Sequence, residues 1–166
     1  MSEKVAVTGK ETITYDGLFS VKELYQFIDD WINSKGYFPV ELSVEEVVEK
    51  DGKVITAQLA PFKKLTDYAK AIIQINIMIS DCKEVEITRA DKKQKLNKGK
   101  VIVEVQSLLE TDYEHRWEMK PWLYVLRTIF EKYIYSPFLS GYKKAVREDT
   151  DHLKDQIKAF LNLYKL

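Results

Sequence analysis

Residues 101–119, VIVEVQSLLETDYEHRWEM, alternate almost without fault. The odd positions read Val101, Val103, Val105, Ser107, Leu109, Thr111, Tyr113, His115, Trp117 and Met119. The even positions read Ile102, Glu104, Gln106, Leu108, Glu110, Asp112, Glu114, Arg116 and Glu118. Strand side chains point alternately to opposite faces, so a period of two sorts residues by face. The stretch therefore reads as one long strand with its odd positions inward and its carboxylates outward. His115 falls inward with Tyr113 and Trp117, away from Asp112, Glu114 and Arg116, and an apparent acid–histidine cluster dissolves. Fully extended, the stretch would run about 60 Å at about 3.3 Å per residue. A domain of this length has a radius of gyration of about 15 Å. The strand must curve or break, and Leu108-Leu109, where both faces are apolar, is the expected place. A curved antiparallel sheet has a concave side, and something must fill it.

The segments before it supply further strands. Ile13 and Tyr15 alternate with Thr12 and Thr14, which predicts a first strand ending near Asp16-Gly17. Ser20 with Glu23 is a capping-box pair. Val21, Leu24, Tyr25, Phe27, Ile28, Trp31 and Ile32 then recur at helical spacing until Gly36. After Pro39, the alternation of Val40, Leu42 and Val44 with Glu41, Ser43 and Glu45 predicts a half-buried strand. Asp51-Gly52 suits a tight hairpin turn. Ile55, Ala57 and Leu59 return as a strand that stops or bends at Pro61. Over residues 69–89, Ala71, Ile73, Ile75, Ile77 and Ile79 share one face. Asp81 and Lys83 break that register before Val85 and Ile87 resume it, which predicts a bulge or tight turn. The stretch RADKKQKLNKGK (89–100), with six basic residues and one acid, reads as a solvated hairpin connection ending at Gly99. The alternative is a basic patch for phosphate or anionic lipid.

Two C-terminal helices are expected. Pro121 suits a first helical position, and Trp122, Leu123, Leu126, Ile129, Phe130, Tyr133 and Ile134 form an apolar stripe over 121–135, closed by Ser136-Pro137. After SPFLSG, residues 143–165 carry a second stripe of Val146, Leu153, Ile157, Phe160, Leu161 and Tyr164. Such stripes read as core rather than as a membrane anchor, which would carry a more basic polar face.

The chain has 166 residues, which fits one domain over 1–166. Hydrophobic residues make up 45% and charged residues 31%, an ordinary globular balance. With 26 basic and 26 acidic side chains, no global charge favours nucleic acid. The N-terminus lacks a signal-peptide pattern, and the run AIIQINIMI (71–79) is too short to span a bilayer. Cys82 is alone, so neither an internal disulfide nor a thiolate metal cluster can form. The cytosol is the expected compartment.

Strand, helix, several long antiparallel strands and a C-terminal helix is an order that resembles the helix-grip fold of START-like proteins. The resemblance covers most of the chain as order and pattern, and no family motif accompanies it. It implies an α+β protein in which a curved antiparallel sheet of about five to seven strands wraps its C-terminal helices, enclosing an elongated cavity for an apolar ligand. The chain departs from that order by showing one helix after the first strand and by splitting the C-terminal helix at Ser136-Pro137.

The glycines are never close enough for GxGxxG or GxxxxGK, so nucleotide binding by those loops is excluded. No GxSxG elbow exists. His152 shares a helical face with Glu148 and lies near Asp155, which reads as a salt-bridged surface rather than part of a metal site. No metal and no cofactor is expected. Ser107, Thr111, Tyr113 and His115 remain as inward polar residues. Each needs a partner in a packed core, near the sheet's end, or serves with Trp117 as the binding residues of a partly polar cavity. The leading expectation is a domain that binds an apolar or amphipathic small molecule or lipid between sheet and C-terminal helices, without chemistry of its own. The alternatives are a protein-interaction module using helix 121–135 or a sheet edge, able to homodimerise, and an enzyme acting on an aromatic or polyketide-like substrate with His115 as general base.

Overall fold

The structure is a computed structural model that describes residues 3–89, 92–111, 113, 125, 129, 132 and 136–164. In chain order it contains β1 (Glu3–Ala6), β2 (Glu11–Phe19), α1 (Val21–Ser34), β3 (Glu41–Glu49), β4 (Gly52–Leu59), β5 (Phe62–Lys64), β6 (Ala69–Arg89), β7 (Lys92–Thr111) and α2 (Ser136–Asn162). The class is α+β, with one curved, open, seven-stranded antiparallel sheet. Its order is β1-β7-β6-β4-β3, with β2 also paired to β7 and β5 also paired to β6.

The β6–β7 hairpin is the spine, pairing from Ala69↔Thr111 to Arg89↔Lys92. The alternation read from the sequence is its inner face: Ala71, Ile73, Ile75, Ile77, Ile79, Val101, Val103, Val105, Ser107 and Leu109 are all at most 1% exposed. The curvature has a visible cause. The partner of β7 changes from β2 to β1 between Val105 and Leu108. Directly across the spine, β6 changes partner from β4 to β5 between Ile75 and Ile72. Both outer lanes thus break level with the Ile73↔Ser107 pair, so the sheet can bend there without losing the hydrogen bonds of its central hairpin.

The expected irregularity at Asp81–Lys83 is a bulge. Asp81 and Cys82 of β6 stand against the single Gly99 of β7, and Asp81 takes φ 53°, a left-handed conformation that Asp tolerates. The bulge forces glycine on both neighbouring strands. A Cβ on Gly99 would lie 2.7 Å from the Ser80 carbonyl oxygen, and one on Gly52 would lie 2.9 Å from the Asp81 carbonyl carbon.

Helix α1 starts as its sequence suggests, with Ser20 accepting the Glu23 backbone N–H at 3.3 Å. It ends in a Schellman closure, with Gly36 N–H on the Asn33 carbonyl and Tyr37 N–H on the Ile32 carbonyl, both at 3.0 Å. Gly36 at φ 72° supplies the left-handed turn. Leu24, Ile28, Trp31 and Ile32 of α1 are buried, as are Val146, Thr150, Leu153, Ile157 and Leu161 of α2. These two stripes cover the inner face.

Four expectations change. The first strand does not stop at Asp16-Gly17 but runs on to Phe19 in unbroken register with β7, because Gly17 at φ 150° lets the strand continue under the Tyr15 ring. Residues 92–100 are not a loop: they are the start of β7, with Lys92–Lys98 paired back onto Lys83–Arg89 and Lys100 onto Ser80, since nothing in a lysine-rich run opposes an exposed two-stranded ribbon. β3 is not half-buried, for eight of its nine residues are exposed and Ser43 is intermediate. It is the last strand of the sheet, and neither α1 nor α2 covers it. Finally, SPFLSG is not a break between helices. Residues 136–141 are themselves helical, within α2, and the described residues contain one C-terminal helix rather than two. The expected helix over 121–135 lies outside the described residues except for Val125, Ile129 and Lys132.

Candidate functional site

Of the five residues singled out on the long strand, Ser107, Thr111 and Tyr113 are among the described residues. The Ser107 hydroxyl is fully buried and shares a 3.0 Å hydrogen bond with the Thr8 hydroxyl, and Thr8 Oγ1 also accepts the Ser107 backbone N–H at 3.0 Å. Thr111 is buried at the end of β7, between Glu3 and Ala69. Tyr113 sits in a turn beyond the strand, where its hydroxyl donates to the Thr66 carbonyl at 3.0 Å. The ammonium groups of Lys64 and Lys70 stand 5.6 and 5.3 Å from its ring centre. His115 and Trp117 lie outside the described residues, as does the separation of His115 from its flanking acids.

His152 has a structural task. Its Nδ1 accepts the Trp31 indole N–H at 2.9 Å, and the two rings stack with centroids 6.3 Å apart. Trp31 also stacks on Tyr37, whose hydroxyl donates to Asp149 at 3.2 Å. Burial, then the Asp149 carboxylate, hold the Tyr37 phenol well above its ordinary value. This clasp ties α1 to α2. Among the described residues no group of three or more His, Cys, Asp or Glu side chains converges as a metal site would require. Cys82 is buried in the bulge, and burial raises its thiol pKa, which keeps it protonated and unreactive.

The candidate site lies beside α1. A cleft of about 370 Å³ opens between the helix and the start of β3, lined by Tyr25, Gln26, Asp29, Ile32, Pro39, Val40, Glu41 and Leu59. Helical spacing places Tyr25, Asp29 and Ile32 on one side of α1. Pro39 and Val40 form the opposite wall, and Leu59 of β4 stands across from Glu41. Apolar surface from Ile32, Val40 and Leu59 meets polar groups of Gln26, Asp29 and Glu41. Such a mixture grips the body of a small molecule and orients its polar end.

Tyr25 distinguishes this cleft. Its hydroxyl is buried and has no hydrogen-bond partner among the described residues. Burial, followed by the Glu41 carboxylate, raises its pKa, so the phenol remains a neutral donor. An unmet buried hydroxyl costs about 1–3 kcal/mol. The sequence concealed this residue because Tyr25 sits on the apolar stripe of α1 and reads as core.

No protein-family model matches the chain, and no curated protein matches it. No described helix is long and apolar enough to cross a membrane.

Proposed function

We propose that this chain binds a small apolar or amphipathic molecule, a lipid included, in the cleft between α1 and the β3–β4 edge. The unpartnered hydroxyl of Tyr25 beside apolar Ile32, Val40 and Leu59 carries the reading. A free protein gains nothing by keeping that group unsatisfied, whereas a site that admits a guest gains a donor. The volume of about 370 Å³ falls at the small end of the range for ligand pockets. On this reading the protein is START-like, works without a cofactor and resides in the cytosol. The order of strand, helix, long antiparallel strands and C-terminal helix supports the first of these, and the lone reduced Cys82 supports the last.

Native mass spectrometry and thermal shift against fatty acids, lysophospholipids and apolar aromatics test the proposal. A retained mass with a raised Tm is expected, and Val40→Trp, which fills the cleft from its partly exposed wall, should abolish both. No retained mass and no stabilisation across the panel would overturn it. A second reading, a protein-interaction module, draws on exposed apolar residues outside the cleft: Val125 and Ile129 in the 121–135 segment, and those of β3.

A further inference from the structure

Strand β3 presents a combination that soluble sheets ordinarily avoid. It pairs with β4 on one side, and on the other its backbone N–H and C=O groups meet no strand among the described residues. Its apolar side chains are bare: Leu42 is 61% exposed, Val44 47%, Val47 53% and Val48 73%, with Phe38 just before the strand at 62%. Val44 stands opposite the core residue Ala57 and so shares the inner face, whereas Val47 stands opposite Val54 on the outer one. An incoming strand would therefore find apolar neighbours on both of its faces. Proteins commonly disarm such edges with charged side chains, lysine above all, with proline or with a mid-strand bulge, and glutamates are the one such device that β3 carries along its length. β3 has neither lysine nor proline within it, and its bulge lies at one end, between Glu41 and Ser43.

The charges identify the occupant. Glu41, Glu45, Glu46 and Glu49 all belong to β3, and among the described residues Glu46 alone of these has an ion-pair partner, Lys53 at 2.7 Å. A second copy of β3, which carries no lysine or arginine, offers the glutamates no opposite charge in any register. An antiparallel register centred on Glu45 would set Glu45 against itself and Glu41 against Glu49. Moving the centre half a residue would set Glu45 against Glu46. Like charges directly opposite destabilise a strand pair. A strand alternating lysine or arginine with valine, isoleucine or leucine meets the glutamates with opposite charge and the bare apolar side chains with its own.

We propose that β3 is a docking edge that takes an extended basic-and-apolar segment of another protein as an additional strand of the sheet. Backbone hydrogen bonds supply the attachment, and the glutamates select the partner. This surface shares Glu41 with the cleft, but its test reads strand addition along β3 and does not depend on whether the cleft is occupied.

The test uses the full chain and three labelled synthetic peptides: acetyl-KVKVKVK-amide, its glutamate counterpart acetyl-EVEVEVE-amide, and the proline-broken acetyl-KVKPKVK-amide. Fluorescence anisotropy should show binding of the first peptide alone, and amide exchange should slow at β3 by about tenfold or more when a strand is added. The double variant E45K/E49K, checked for folding by circular dichroism, should weaken the lysine peptide by about tenfold and admit the glutamate peptide. Equal binding of the proline-broken peptide, without slowed exchange at β3, would mean diffuse charge attraction and would overturn the proposal. So would failure of all three to bind, or concentration-dependent self-association that Val48→Lys abolishes, since the occupant would then be a second copy.

Discussion

The two edges of the sheet are built on opposite plans. Along β2, Ile13 and Tyr15 are buried under α2, and the helix reaches over the edge with polar groups. Lys154 binds Glu11 at 2.6 Å, and Arg147 donates to the Val7 carbonyl at 3.2 Å. Along β3 no residue is buried, although Leu42, Val44, Val47 and Val48 are as apolar as the residues that β2 buries. Burial on a sheet is decided by whether a second layer lies over the strand, not by the strand's own pattern. The covered edge stabilises the fold, and the open edge is free to serve contacts with other molecules.

The largest test of this contrast removes packing from each side. Leu153 of α2 is fully buried, so Leu153→Ala should cost about 2–5 kcal/mol. Val48→Lys on the open edge should change stability by less than about 0.5 kcal/mol. Urea midpoints for the two variants measure the difference. Comparable losses would show that β3 is covered in solution and would break the contrast.

Next in size is the ion pair over the covered edge. The Lys154 side chain is 9% exposed, whereas Glu11 and Asp151 are each 51% exposed. Both carboxylates can rehydrate when the lysine is removed, so Lys154→Ala should cost about 1–2 kcal/mol, less than a fully buried pair would. A smaller loss in high salt for the parent protein would confirm that solvent screens the pair.

The clasp between α1 and α2 adds a pH signature. Tyr37 is raised by burial and then by Asp149. Tyr164 is raised by burial and then by its hydrogen bond to Glu23. A group whose folded pKa lies above its unfolded value binds its proton more tightly when folded. Its stabilisation is complete below the ordinary tyrosine value of 10.0 and is lost as pH rises through the folded value. Stability should hold through neutral pH and fall progressively above about pH 10. Tyr37→Phe should cost about 1 kcal/mol at pH 7 and make the alkaline fall shallower; an unchanged slope would assign the sensitivity elsewhere.

How much of this was legible follows from the same contrast. The inner face of β6 and β7 and the stripe of α1 could be read because each is a periodic pattern covered by a second layer, and the bulge at Asp81 because it interrupts one. β3 misled for the reverse reason: Leu42 and Val44 alternate with glutamates as buried residues would, but no helix covers them. SPFLSG misled because proline and glycine mark helix ends only as a tendency, and here residues 136–141 are helical. Ser107 was rightly marked as a buried hydroxyl needing a partner, but its partner, Thr8, lies 99 residues away in sequence, and no spacing rule connects them. The cleft was illegible altogether, since it depends on how far α1 stands from Pro39 and Val40.

The smallest effect bears most directly on function. Tyr15 and Tyr25 are both shielded tyrosines whose pKa burial raises, yet they differ in one respect. The Tyr15 hydroxyl donates to the Leu18 carbonyl at 2.7 Å, whereas that of Tyr25 donates to nothing described. Replacing Tyr15 with Phe removes a made bond and should cost about 1 kcal/mol, while Tyr25→Phe removes only an unmet demand and should leave stability unchanged or raise it by up to about 1 kcal/mol. Thermal unfolding of both variants reads the sign. A loss at Tyr25 matching that at Tyr15 would mean its hydroxyl already has a partner in solution, and the physical reason for placing a guest in the cleft would disappear. A gain in stability joined to weaker ligand retention would show that the hydroxyl is kept at the fold's expense for what it binds.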